Sequence, residues 1–477
     1  MPSYIYCTNV TDPFFKTVTE FEKQLDGILA SSKFTSPTLQ ARLSQQIEER
    51  PLFLISDNGN YGLMKRVAKP FKNRAKKLVK QALQEIENFG NLLPETELLI
   101  ELLVHEVEFS CVAIFNETDK VELIEDQLLI EPDMMVGLED LRLAVLSILG
   151  LMQPAFQSVY NRALAYQKAT KAIYTQQRNG KFLRRGNKAA LDATKVYTVI
   201  HCMDYDTAFK GAKLYARKRK VDGVCLSLAG IMLNLSFIEG IEIGKRKFDF
   251  GRKLPAAYIK CVSLMLGLHK GLPTKNWPVH ILGSGSPILL LILGLFTRHF
   301  KQITIDATST FKDSDVGIIY GNKQAYLKMN MYKVAAYSLI NNSPYESASP
   351  YFKAFEEKYP SDWPALRLAM GVTEQDSVRK LAKRLKENQD LVRQYIPYFS
   401  SIKGGGEQVK FLRFCRAGSN YLVLKALCDQ ISSFEDNPEG LKAWVEAEVM
   451  RYVNAKGVHK MWVAALQKAY DILKEVY

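Results

Sequence analysis

The residues of this chain best suited to chemistry are three aspartates, each closing a short apolar run. Pro51-Leu52-Phe53-Leu54-Ile55 is followed by Ser56-Asp57, Leu128-Leu129-Ile130-Glu131-Pro132 by Asp133, and Gln302-Ile303-Thr304-Ile305 by Asp306. A carboxylate at a dry cavity mouth can attack a sugar carbon while a second moves a proton, the division of labour that exchanges groups at an anomeric centre. His201, after Val196-Tyr197-Thr198-Val199-Ile200, and the small residues Gly59, Ser227, Ala229 and Gly230 stand at similar run ends. A metal centre is the weaker reading, because His201 has no second histidine at ligand spacing.

The elements that must hold these groups are clearest around residues 278–310. Val279 to Leu282 is a strand-like run stopped by Gly283 and Gly285, Ser286-Pro287 opens a helix carried on by Ile288 to Phe296, and Gln302 to Ile305 is strand-like again. A strand-helix-strand unit makes its two strands parallel neighbours, so Asp306 falls at a carboxyl strand end, where ligands bind in parallel α/β folds. Asp306 before Thr308, Ser309 and Thr310 equally suits a loop cap. The same ending at Asp57 tips the reading toward chemistry.

Strand-like runs recur at about 4–7, 52–55, 128–131, 196–200, 223–226, 279–282 and 302–305, with residues 109–114 available as an eighth. Helical patterns fall at 14–30, 139–152 and 206–219, and a helical segment carries the basic patch 245–253. Residues 107–115 and 121–124 flank Asn116-Glu117-Thr118-Asp119 as in a hairpin. Past residue 320 the strands stop; 350–399 and 410–477 read as helices on either side of Lys403-Gly404-Gly405-Gly406. The expected fold is α/β: a (β/α)8 TIM-type barrel over 1–320 with helical, basic insertions near 65–80 and 160–195, then a mainly helical region over 321–477. An open doubly wound sheet is the alternative.

Of the 477 residues, 47% are hydrophobic, an ordinary globular share. The 64 Lys and Arg outnumber the 50 Asp and Glu, giving +14 and a pI near 9.2, which favours a polyanionic partner, nucleic acid first. Seven scattered cysteines with no CxxC spacing argue against a disulfide framework or a cysteine-rich zinc site and for a reducing compartment. The start of the sequence lacks a secretory pattern, and Ile288 to Phe296 is about half a bilayer span. These readings predict a cytoplasmic protein without a membrane partner.

Two basic segments are candidates for phosphate contact. Residues 65–80 carry Lys65, Arg66, Lys69, Lys72, Arg74, Lys76, Lys77 and Lys80, with apolar residues at helical spacing from Ala75 onward, directly after the Asp57 loop. Residues 160–195 interleave cations, Arg184 and Arg185 among them, with Tyr160, Tyr166, Tyr174 and Phe182, a mixture suited to phosphate pairing and base stacking. Each also fits an ordinary solvated surface.

At these residues the chain resembles the tRNA-guanine transglycosylase superfamily, whose members exchange guanine for a 7-deazaguanine through a covalent glycosyl-enzyme. Ser56-Asp57-Asn58-Gly59-Asn60-Tyr61 is similar to the family's (T/S)DSGGY loop, which implies Asp57 as general acid/base and Tyr61 as the ring stacked on the base. Ile303-Thr304-Ile305-Asp306-Ala307-Thr308 resembles its nucleophile strand, which implies Asp306 as the group that attacks C1′. His280 to Pro287 looks like its HLLGIGxP turn. Val199-Ile200-His201-Cys202 stands where the family has IVQGG, and Leu226-Ser227-Leu228-Ala229-Gly230 where it has IGGLA. The resemblance thus implies that His201, with the backbone of Ser227, Leu228 and Ala229, reads the base, and that Asp133 accepts the guanine N1–H and exocyclic amine.

The similarity covers roughly residues 50–310 and extends to Ser419-Asn420-Tyr421. The tRNA enzymes carry a CxCxxC…H zinc site after the nucleophile strand, and this sequence has none. The resemblance is therefore stronger to the DNA-guanine transglycosylases of phages and bacterial modification islands. It implies DNA as partner, with tRNA as the alternative, a 7-deazaguanine base as co-substrate, no resident cofactor or metal, and Lys65, Arg66, Lys69, Lys72, Arg184 and Arg185 on the nucleic-acid backbone. In a phage-encoded protein the location would be the host cytoplasm. A catalytically silent nucleic-acid-binding barrel and a small-molecule lyase or hydrolase are the readings from other classes.

Overall fold

The structure, a computed structural model, describes residues 3–9, 26–31, 53–184, 186–216, 221–228, 237–272, 274, 277–283, 285–307, 309–321, 327–342, 349–399, 406–455 and 459–476. Eight parallel strands close into a barrel. They are β1 (Tyr4–Asn9), β2 (Gly27–Ser31), β3 (Phe53–Asp57), β4 (Met134–Val136), β5 (Lys195–His201), β6 (Gly223–Ser227), β9 (Pro278–Leu282) and β10 (Gln302–Ala307). The barrel closes where β10 pairs with β1, Asp306 opposite Cys7. The (β/α)8 barrel is thus the fold, and the open sheet is not.

Period-two alternation divides each strand between two cores. Ile5, Cys7, Leu29, Phe53, Ile55, Met134, Val136, Tyr197, Val199 and Cys225 fill the barrel interior, while Tyr4, Tyr6, Ile28, Leu54, Val224 and Leu226 face the surrounding helices. Two residues beyond the inward Ile55, Val199, Cys225 and Thr304 stand Asp57, His201, Ser227 and Asp306. The alternation therefore turns all four toward the carboxyl mouth.

Several expected elements differ, for physical reasons. The eighth strand is β2, which overlaps the end of the run 14–30 read as helical, whose residues 14–25 lie outside the described residues; the segment 109–114 belongs instead to the helix Pro94–Glu117, which ends at residue 117, and residues 118–119 separate it from the helix Lys120–Leu128. Over nine residues VEFSCVAIF looks β-prone, but Ile100, Leu103, Val104, Val107, Cys111 and Ile114 pack at helical spacing over the longer window. The run 128–131 is a helix end and a turn: Glu131 takes a left-handed φ of 46°, and the strand proper begins at Met134. Gln127 bridges the resulting gap by donating from Nε2 to the carbonyls of Ser56 and Val136.

The patch 245–253 lies in an antiparallel hairpin, β7 (Phe237–Ile243) with β8 (Arg246–Pro255), rather than in a helix. Strands also continue past 320, where β11 (Ile318–Gly321) pairs with β12 (Leu327–Asn330). Residues 160–195 are no insertion. Helix Ala163–Arg178 covers β4 and β5, with Gln167 Nε2 donating to the Val199 carbonyl and Tyr174 Oη to that of Val196.

Residues after 331 are mainly helical, as expected, and share one apolar core with the barrel. Helix Glu407–Ser432 packs directly on β1: Ser432 Oγ accepts the Tyr4 N–H at 3.1 Å, Tyr421 Oη accepts that of Asp26 at 3.1 Å, and Lys425 Nζ lies 2.6 Å from Asp26. The linker 403–405 lies outside the described residues. No helix among the described residues is long and apolar enough to cross a membrane.

Close packing of helix Ala256–Gly271 on helix Tyr205–Ala216 depends on glycine at 267, where a Cβ would stand 2.4 Å from the Tyr205 carbonyl oxygen. Gly267→Ala is expected to destabilise the fold by about 1–3 kcal/mol, read as a lower urea midpoint with an unchanged m-value.

Candidate active site at the carboxyl mouth of the barrel

Asp57 ends β3 and leads into a tight loop. Gly59 takes φ 67°, a left-handed conformation that favours glycine, and the helix Asn60–Ala68 begins at the next residue. Asn58 and Asn60 fasten this loop to the one after β4. Asn58 Nδ2 donates to the Gly137 carbonyl at 2.9 Å, its Oδ1 accepts the Asn60 N–H at 2.9 Å, and Asn60 Nδ2 donates to Glu139 Oε1 at 3.1 Å. Asp57 is thereby held on a braced loop.

Across the mouth, Asp306 is held from β9. The Gly283 N–H donates to Asp306 Oδ1 at 3.2 Å, and His280 Nε2 lies 3.2 Å from the same oxygen, close enough for an ion pair though misaligned for a hydrogen bond. The His280 ring is fully buried, and its Nδ1 is 2.8 Å from Thr304 Oγ1, which fixes its orientation. Asp306, His280 and Thr304 form one column inside the barrel.

The charge of Asp306 reaches Asp57. Burial raises the Asp57 carboxyl to about 7, the charges of Asp306 and then Glu139 adding to the rise, while the Gly59 and Asn58 backbone N–H groups pull weakly the other way. Cys225, one layer below, is pushed well above the ordinary thiol value by burial and by Glu139, Asp306 and Asp57 together. The charges of three carboxylates therefore reach this inward-facing thiol. A group poised near neutrality beside a second carboxylate can give and take a proton while its neighbour attacks.

His201 closes β5, buried, with Nε2 hydrogen-bonded to Glu139 Oε2, and its N–H donates to Gln167 Oε1 at 3.3 Å. Ser227 and Leu228 are buried at the end of β6, the Leu228 N–H donating to the Leu282 carbonyl at 3.3 Å, while Ala229 lies outside the described residues. Tyr61 sits in the first helical turn beside Asp57, 39% exposed, with Lys65 Nζ 4.2 Å from its ring centroid. Lys65, Arg66, Lys69 and Lys72 lie on exposed positions of the same helical segment.

Two expectations are corrected. Asp133 precedes β4 and accepts the Leu54 N–H at 2.8 Å, so it lies at the amino end of the barrel and ties β3 to β4, far from the mouth. The carboxylate at the mouth from β4 is Glu139, which sequence reasoning misses; its signal is a Glu two residues after Gly137, where a short inner strand ends. Arg184 likewise lies at the amino end, on the loop leading into β5, its Nε 3.4 Å from Glu125. Arg185 lies outside the described residues. In the sequence His280 is only the first residue of a turn motif, and its inward orientation becomes visible once register sets it beside Thr304.

Among the described residues no group of three or more His, Cys, Asp or Glu is arranged to hold a metal ion. No protein-family model matches the chain, and no curated protein matches it.

Because the folded Asp57 titrates near 7 and an unfolded aspartate near 4, the folded chain keeps a proton between those values that the unfolded chain has lost. The stability this proton contributes is full below about pH 4 and is lost as pH rises through about 7. Asp57→Asn, permanently neutral, is therefore expected to gain a few kcal/mol relative to wild type between about pH 4 and pH 8. Urea unfolding across that range checks it, and a difference independent of pH would contradict the assignment.

Proposed function

We propose that the protein is a base-exchange glycosyltransferase that replaces guanine in DNA by a 7-deazaguanine such as 7-cyano-7-deazaguanine. The observation that carries the reading is that Asp57 and Asp306, distant in sequence, both stand at carboxyl ends of barrel strands, with Asp57 raised to about 7 by burial and by the charge of Asp306. The motif resemblance at both residues points the same way.

In the first half-reaction an Asp306 oxygen forms a bond to C1′ as the C1′–N9 bond breaks, and Asp57 delivers its proton to the departing guanine. In the second, N9 of the incoming base attacks C1′, its proton passes to Asp57, and the Asp306 ester bond breaks. The Gly283 N–H and His280 keep Asp306 aimed through both steps. The base would lie against Tyr61, and Glu139 takes over the role expected of Asp133, accepting the guanine N1–H and amine with His201 beside it. A guanine within duplex DNA must first be flipped out, at roughly a few kcal/mol.

The helical region beyond the nucleophile strand favours DNA over tRNA. Cys415 and Cys428 are packed in the buried face of helix Glu407–Ser432, which braces the barrel, whereas the tRNA enzymes carry a cysteine-rich zinc site after that strand. The exposed cations from Lys65 to Lys72 beside the mouth suit phosphate contacts whose affinity falls steeply with salt.

Mass spectrometry of nucleosides from DNA incubated with the protein and 7-cyano-7-deazaguanine is expected to reveal the modified deoxynucleoside. Asp306→Asn is expected to abolish exchange and covalent trapping while leaving DNA binding unweakened, and Asp57→Asn to slow exchange by roughly 10²–10⁴. Exchange of labelled guanine by Asp306→Asn would refute the nucleophile, and exchange on tRNA alone would refute the substrate.

A further inference from the structure

Helix Pro94–Glu117 buries one stripe and leaves the opposite one bare. While residues 100 to 114 pack inward at helical spacing, Leu98, Leu102, Phe109 and Val112 are 60%, 51%, 77% and 45% exposed, and Leu99 beside them is 50% exposed. With 3.6 residues per turn the first four fall within an arc of about 80° and run about 21 Å along the axis. A helix that is apolar on both faces belongs inside something larger than the fold that carries it.

We propose that this stripe is a docking surface for a second copy of the same chain, the two helices packing antiparallel about a two-fold axis through His105. The arrangement is self-complementary. Reversal about residue 105 sets Leu98 against Val112 and Leu102 close to Phe109, so each large apolar group meets another. At ordinary side-chain areas the five exposed residues present on the order of 600 Å², the upper end of what a monomer leaves bare and most of the ~800 Å² a stable dimer buries per copy.

The charges nearby do not oppose the pairing. Glu101 and Glu108 are held by Arg162, and Glu106 by Arg74, so apposing two such helices does not stack unpaired carboxylates. The stripe itself carries no lysine or arginine, which sets it apart from the cationic helical segment after Asp57. The inference rests on the exposed surface alone and is independent of the proposed reaction.

Sedimentation equilibrium of the full chain at micromolar concentrations is expected to give twice the 54.1 kDa chain mass. Phe109→Glu, at a position too exposed to matter to the core, is expected to give the single-chain mass with an unchanged circular dichroism spectrum. His105→Cys, treated with a short bis-maleimide, is expected to yield a covalent dimer, which the wild type, whose seven cysteines are all buried, does not. A wild type that stays at the single-chain mass, a dimer that survives Phe109→Glu, or a His105→Cys that fails to cross-link would each overturn the proposal.

Discussion

Carboxylates crowded into a mouth with little water are the constraint to which the rest of this protein answers. Asp57, Asp306 and Glu139 approach the barrel axis from β3, β10 and the loop after β4, and burial makes their mutual repulsion stronger than it would be in solvent. Each is offset differently. Asp306 has the Gly283 N–H and the His280 ring, Glu139 has His201 and Asn60, and Asp57, with two opposing backbone N–H groups, is raised to about 7. Similar side chains compensated unequally can divide acid/base and nucleophilic work between them.

That compensation exists only while the barrel is closed. The column Asp306, His280 and Thr304 spans the β9–β10 pair, and the Asn58 and Asn60 bonds span β3 and β4. The β1–β2 pair is braced from outside by helix Glu407–Ser432, whose Ser432, Tyr421 and Lys425 hold Tyr4 and Asp26. The helical C-terminal region is thus part of the barrel wall, which explains why its apolar residues share a core with the first strands of the chain.

Much of this is legible in the residues, and the failures have identifiable causes. Strands whose apolar runs end in small or acidic residues, around 55, 200, 226, 281 and 305, stand out because burial on both faces leaves a short continuous run. β4 is misplaced from sequence because it has only three residues and the preceding helix end, LLIEPD, imitates it; that error carries Asp133 to the wrong end of the barrel and hides Glu139. β2 is absorbed into a helical pattern because Gly27–Ser31 is too short to announce its own period. The roles of Asn58, Asn60 and His280 depend on neighbours remote in sequence, Gly137, Glu139 and Thr304, which no local pattern contains.

The central claim, that Asp57 and Asp306 share one cavity and feel each other's charge, is tested most directly by carbon-detected NMR titration of the aspartate side-chain carboxyls in wild type and Asp306→Asn. The expected result is an Asp57 midpoint near 7 that falls when the charge at 306 is removed, with the part due to burial remaining. An Asp57 carboxyl titrating in the ordinary range near 4, or one indifferent to the change at 306, would contradict it.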